Sequence, residues 1–394
     1  MKLSYKTTMF SCFTGYVVQA IIINFAPLLF VFFQDTYGIS LSKITLLLTV
    51  NFVVQLATDL LSTLFVDKIG YRASMMIAHL CAAAGLVALT ILPEIMDPFV
   101  GLLLSVCIYA VGGGIIEVLV SPIMESCPTE NKEKAMSLLH SFYCWGLVGT
   151  VLISTVFFRL AGIHNWKIMA IIWAVIPVIN AILFSRTPIA PLIAPGEKGM
   201  TLKELVKNKT FWLLIIMMIC AGASENGVVL WSSAFAEKGL QIDKTLGDIA
   251  GPMAFAVVMG IARNIHGKHG EKMNLDKLML WSTVLCLVSY FMMTLFRSPI
   301  VNLIGCAACG VSVAIMWPGT LSKASATLRT GGTMMFAMLA LAGDIGCSAG
   351  PTLVGLVSDG FGGNMKAGIL AGILFPAVLL LCILLWKKPK KETL

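Results

Sequence analysis

Twelve stretches of this chain are nearly free of charge, and each is close to the roughly 20 residues that an α-helix needs to cross a bilayer. They run at 7–34, 41–65, 73–92, 99–124, 135–160, 166–184, 210–235, 245–265, 278–296, 300–321, 333–356 and 367–386. The pattern predicts twelve membrane-spanning helices joined mostly by short polar loops, an all-α integral membrane protein. An even number of crossings puts both ends of the chain on one side. The first run is too long for the core of a signal peptide and has no convincing small-residue cleavage site, so it is expected to be a retained helix.

One connection differs from the rest. The stretch 185–209 holds Pro188, Pro191 and Pro195 and then a charged, helix-like segment ending at Lys209. It divides the chain into a six-helix bundle over 1–184, a central loop over 185–209 and a second six-helix bundle over 210–394. A faint repeat agrees with the division. Ser121-Pro122 is matched by Trp317-Pro318, and Gly146 and Gly149 are matched by Gly343 and Gly346.

Composition fits the pattern. The chain is 58% hydrophobic and 12% charged, with a mean hydropathy of +0.90, too apolar for a water-soluble domain. Its net charge of +8 does not point to nucleic acid, because the basic residues sit in short loops and not on one face. Of the 28 Lys and Arg, 21 fall on the side of the two termini. The positive-inside rule then places both termini and the central loop in the cytoplasm, with the protein in the plasma (inner) membrane. The 11 cysteines follow no zinc or disulfide spacing and read as small packing residues. No metal site is expected.

The loop between the second and third runs reads Asp67-Lys-Ile-Gly70-Tyr-Arg72, a tight charged turn in which Gly70 permits the bend. It resembles the loop signature of the major facilitator superfamily. The matching loop of the second half keeps Arg263, Gly267 and Lys268 and lacks the Asp. The fourth run, with Gly114, Glu117 and Pro122, resembles the fucose:proton symporter family of that superfamily, whose helix carries Gly-x-x-Glu followed five residues later by Pro. Trp317-Pro318 and Ser322 in the tenth run resemble the same family. The resemblance implies two six-helix bundles, a solute site near the midplane where the repeats meet, and Glu117 as the protonatable coupling residue, with the proton as coupling ion and no cofactor. The first run departs from the family. Where the family has an Asp four residues before Pro27, this chain has Ile23, with Asn24 beside it.

Charges inside apolar spans are the main functional signal, because a charge at the bilayer centre costs about 2.5–3.5 kcal/mol on insertion scales. Glu117 lies about 10 Å from the cytoplasmic end of its span and His140 about 8 Å into the next, so the two share a layer and are candidates to pass a proton. A structural role for Glu117 and a helix-end bond for His140 are the alternatives. Asp344, about 16 Å deep, is a candidate for coupling or for an interhelix hydrogen bond. Glu225 and Asn226, about 22 Å from the cytoplasmic end, suit solute contact or an outer gate. Asp59, about 9 Å deep, suits a gate or interhelix pairing, and Gln55 shares its face. Asn24, Gln55, Tyr143, Glu225, Asn226, Trp231 and Trp317 are candidate solute contacts, the aromatics by stacking on a sugar ring, although Trp more often anchors or packs. Asp67, Gly70, Arg72, Arg263 and Asp59 are candidates for the loop motif and gate.

The expected function is proton-coupled symport of a small neutral hydrophilic solute, most plausibly a sugar, by a monomer in the lipid bilayer. There is no cluster of intramembrane arginines for an anionic solute, Arg263 being read at a helix end. The alternatives are a proton-antiport exporter of an amphipathic compound, although the fifth span lacks a Gly-Pro kink, and a membrane-embedded transferase, although no Asp-rich metal motif is present. No enzymatic activity is expected.

Overall fold

The structure, a computed structural model, describes residues 4–193, 198–232, 253–269 and 273–386. Every regular element among them is helical. In chain order these are α1 (Tyr5–Asn24), α2 (Phe30–Tyr37), α3 (Leu41–Ile69), α4 (Tyr71–Ile95), α5 (Pro98–Ser126), α6 (Lys132–Ala161), α7 (Trp166–Arg186) and α8 (Leu202–Lys207). There follow α9 (Lys209–Val229), α10 (Ala254–His269), α11 (Leu275–Leu295), α12 (Pro299–Val313), α13 (Met316–Thr327), α14 (Gly332–Gly360), α15 (Met365–Ala371) and α16 (Leu374–Leu385). Among the described residues, ten helical stretches are long and apolar enough to cross a membrane, and Leu46–Ser62 within α3 is a shorter apolar run. The expected run at 245–265 lies partly outside the described residues, and its later part is the start of α10.

Lipid explains why these helices are apolar on every side. Along α7 the buried positions include Met169, Ala170, Trp173, Ala174, Pro177 and Ala181. The opposite stripe, Ile168, Ile171, Ile172, Val175, Ile179 and Ile182, is also aliphatic and exposed. A helix packed in water would carry polar residues there. A bilayer, which offers no hydrogen-bond partners, favours the aliphatic stripe.

Two helices break where proline removes a donor. Pro27 has no N–H for the carbonyl four residues back, and the chain passes through a 3-10 turn, Ala26–Leu29, between α1 and α2. Pro318 does the same to Ala314 between α12 and α13. Some helix starts carry a side-chain cap. Asp97 accepts from the Val100 N–H at 3.0 Å with Pro98 in the first turn. The α3–α4 turn is made by Gly70 at φ 85°, a backbone conformation that side chains oppose.

Two compact units emerge. The first comprises Met1–Thr129, Phe142–Glu197 and Gly332–Ala337. Within it α4 and α5 pack so closely that a Cβ on Gly112 would lie 2.5 Å from the Ala78 carbonyl. A buried polar layer ties α1, α4 and α7, with Asn180 bonded to His79 Nε2 at 2.7 Å and to the Ser11 carbonyl at 3.0 Å. The second unit comprises Glu130–Ser141, Lys198–Gly331 and Met338–Leu394. Its α9 and α14 meet through small residues, with Gly346 against the Ile219 backbone and Gly350 against that of Ala223, a form of packing that van der Waals contact favours inside membranes.

Candidate functional site

In the first unit, three helices converge on Glu117. Gln19 Nε2 from α1 donates to Glu117 Oε2 at 3.1 Å, and Gln55 Nε2 from α3 donates to the same oxygen at 2.5 Å. Gln19 and Gln55 are buried and Glu117 is partly so. Hydrogen bonds to a charged group contribute about 1.5–3 kcal/mol each, which offsets part of the cost of carrying the charge here. Two N–H donors on one oxygen suit an ionised carboxylate, whose oxygens both accept.

The glycines before Glu117 make room for this convergence. A Cβ on Gly113 would lie 3.3 Å from Gln19 Oε1 and 3.4 Å from Gln55 Oε1. One on Gly114 would lie 2.9 Å from both the Gln55 carbonyl and Asp59 Oδ1. Asp59 therefore reaches α5 one helical turn from Glu117, and it is fully buried. One turn beyond Glu117, Ser121 Oγ is 3.1 Å from Tyr16 Oη. Asn24 turns its Nδ2 back to the Ala20 carbonyl of its own helix, 2.8 Å away. Phe13 and Phe142 stack with ring centroids 4.5 Å apart, and the partly buried Tyr143 follows in sequence.

In the second unit, Arg263 is the centre. The sequence reading put it at a helix end, whereas it lies within α10, six residues before its last residue, and is only 3% exposed. Its Nη2 is 3.3 Å from Glu225 Oε2. Its Nε donates to the Ala314 carbonyl at 3.0 Å, and its Nη1 to the His140 carbonyl at 3.2 Å. Pro318 explains the first of these acceptors, because Ala314 O is the carbonyl whose intrahelical donor the proline lacks. Ser137 Oγ and Ser141 Oγ add bonds to the Arg263 carbonyl and to Asn264 Oδ1, each 3.0 Å. The sequence analysis missed this pair because Arg263 was read as part of a loop motif.

The remaining candidates fall into separate roles. Asp344 is buried in α14, and the neighbouring Gly343 lies against the Trp317 ring, which an added Cβ would overlap. Trp231 donates Nε1 to the Pro351 carbonyl at 2.9 Å and lies over Gly355, so its polar atom is already engaged. Asn226 is partly buried beside Glu225. The loop motif divides its charges. Arg72 Nη1 donates to the last carbonyls of α7, Phe184 at 3.0 Å and Ser185 at 2.7 Å. Asp67 Oδ1 accepts from Thr333 Oγ1 at 2.8 Å at the start of α14, an anion at the positive end of a helix. Thr333 therefore accepts from the Tyr71 hydroxyl.

Gln19 and Tyr16 were absent from the sequence candidates. The family resemblance pointed to position 23, four residues before Pro27, and Gln19, whose amide reaches Glu117, lies one helical turn earlier. A glutamine in an apolar span was itself a usable signal. Among the described residues, no group of three or more His, Cys, Asp or Glu side chains is placed to hold a metal ion.

Residues 8–351 match the family model of the Major Facilitator Superfamily. Among solved structures, the chain is similar to the E. coli fucose:proton symporter FucP, at 16% identity with a TM-score of 0.81, covering 98% of this chain and 100% of that one. A crystal structure of FucP in the outward conformation is similar at 15% identity and TM-score 0.80, with the same coverage. The proton:xylose symporter XylE bound to 6-bromo-6-deoxy-D-glucose is similar at 11% identity and TM-score 0.79, covering 96% of this chain and 94% of that one. Among curated proteins, none matches the chain by sequence.

Proposed function

The chain belongs to the Major Facilitator Superfamily, and from that premise we propose that it is a secondary transporter that moves a small neutral hydrophilic solute, a sugar, together with a proton. The observation that carries this reading is Glu117, a carboxylate in a membrane-spanning helix that accepts N–H groups from the carboxamides of Gln19 and Gln55. Carboxamides stay neutral whether the acid beside them is ionised or protonated, and they carry both a donor and an acceptor. The same amides can also bind sugar hydroxyls, as can Asn24 and Tyr143. The second unit supports a neutral solute, because its buried Arg263 is already paired with Glu225. Asp344 and His140 are assigned subsidiary roles in moving the proton, and Asn226 and Trp317 roles in contacting the solute. Alternating access in the plasma membrane, with both termini cytoplasmic, completes the proposal.

The reading is tested in proteoliposomes with L-fucose and D-xylose as probes, followed by a wider sugar panel. A transported sugar should accumulate against its gradient when the lumen is alkaline. Its entry should alkalinise the external medium. Glu117→Gln should abolish accumulation while exchange of labelled for unlabelled sugar persists. Accumulation unchanged by that substitution would overturn Glu117 as the coupling residue. External acidification would indicate proton antiport in place of symport.

A further inference from the structure

We infer that Gln19 is a positioning residue that follows the protonation state of Glu117 by turning its carboxamide over. The inference rests on the reading of Glu117 as the proton carrier. Gln19 is 2% exposed and gives one N–H to Glu117 Oε2, but its own carbonyl oxygen, Oε1, accepts no hydrogen bond among the described residues. An orphaned buried amide oxygen is costly in any protein and more so in a bilayer. Gln55, which donates to the same carboxylate oxygen, shows no such orphan.

The geometry assigns the idle oxygen a use. When Glu117 gains a proton from water, an oxygen that could only accept becomes an O–H donor. A proton on Oε2 would meet the two N–H groups already pointed at that oxygen. A half-turn about the last side-chain torsion of Gln19, a broad and soft rotation, exchanges its Nε2 and Oε1. Oε1 then accepts the new O–H. No bond forms except the O–H of Glu117, and loss of the proton reverses the turn. Among the described residues, titratable groups near this part of α5 include Asp59 from α3, which reaches Gly114, Tyr16 from α1, bonded to Ser121, and His79 from α4, which lies near Gly15 and is bonded to Asn180 and the Met75 carbonyl. Gln19 Oε1 accepts from none of them. A carboxamide serves both protonation states, whereas a pure donor or a pure acceptor at position 19 serves only one.

The test is infrared difference spectroscopy between alkaline and acid pH on the full chain in lipid, labelled with 13C-glutamine. The chain has only four glutamines, at 19, 34, 55 and 241, so individual bands can be assigned. Acidification should produce a carboxylic acid band that is lost in Glu117→Gln. With it, one glutamine side-chain carbonyl band should shift to lower wavenumber, and the shift should vanish in both Glu117→Gln and Gln19→Met. Gln19→Glu, which keeps the side-chain shape, replaces Gln19→Met if that variant does not fold, and the shift should be lost there too. A Glu117 carboxylic acid band with no amide shift, or a shift that survives loss of Gln19, would overturn the inference and leave the proposed function standing. Absence of the carboxylic acid band would overturn both.

Discussion

Glu117 and Glu225 are both acids inside membrane-spanning helices, and they are held in opposite ways. Glu117 receives N–H groups from two neutral carboxamides. Glu225 faces a guanidinium that is itself fastened to the carbonyls of Ala314 and His140. Protonating Glu117 changes the pattern of donors that its amide partners meet. Protonating an acid paired with a buried arginine weakens the compensation of that cation, at a cost in free energy. The first arrangement suits a group that must change charge on each cycle, and the second suits one that must keep it.

The contrast breaks most readily on the arginine side. Arg263→Met should destabilise the protein by about 3 kcal/mol, because the partly buried Glu225 loses its cation. The double variant Arg263→Met with Glu225→Leu should recover most of that loss, since replacing a buried pair by packed apolar side chains is often close to neutral. Thermal unfolding in detergent checks both. A double variant as unstable as Arg263→Met alone would show that Glu225 is not the group left stranded.

The glutamine side should respond less. Gln55→Leu removes one donor to a charge and should cost about 1.5–3 kcal/mol, whereas Glu117→Gln, which keeps the shape, should change stability by less than about 1 kcal/mol. If Glu117→Gln unfolds the protein as readily as Arg263→Met does, the two acids are held alike and the contrast fails. Gly114→Ala tests the room between the helices. Its Cβ would meet the Gln55 carbonyl and Asp59 Oδ1 at 2.9 Å, and overpacking of this kind costs about 1–3 kcal/mol. Its coupled uptake should fall more than its stability, as the Gln55 donor is displaced from Glu117.

These two sites were unequally legible in the sequence. The helices were readable because lipid demands long apolar runs, and ends moved only slightly where caps fixed them, as at Asp97 and Pro98. Glu117 was readable because a lone charge in such a run stands out. Its partners were harder. Gln55 was placed by its spacing from Asp59 on one helix, but which face of α1 turns toward α5 is decided by packing across Gly113, so Gln19 was missed in favour of residues nearer Pro27. Arg263 was assigned to a loop because the motif of the first half was carried over to the second. Its burial depends on acceptors supplied by His140 and Ala314, distant in sequence, which no local pattern reveals.

Pro318 offers the finest test of the contrast. By lacking an N–H it frees the Ala314 carbonyl, which Arg263 Nε then occupies at 3.0 Å. Pro318→Ala restores an intrahelical donor to that carbonyl. A carbonyl oxygen has two lone pairs and can serve both donors, so the guanidinium should be weakened and not released. The expected change in stability is within about 1 kcal/mol, with slower hydrogen exchange across the α12–α13 junction. A loss as large as that of Arg263→Met would mean that the break in the helix, more than the carbonyl it frees, holds the pair in place. A small change combined with slower exchange would assign the proline to presenting an acceptor to Arg263, and would leave the Arg263–Glu225 contact as what holds the pair.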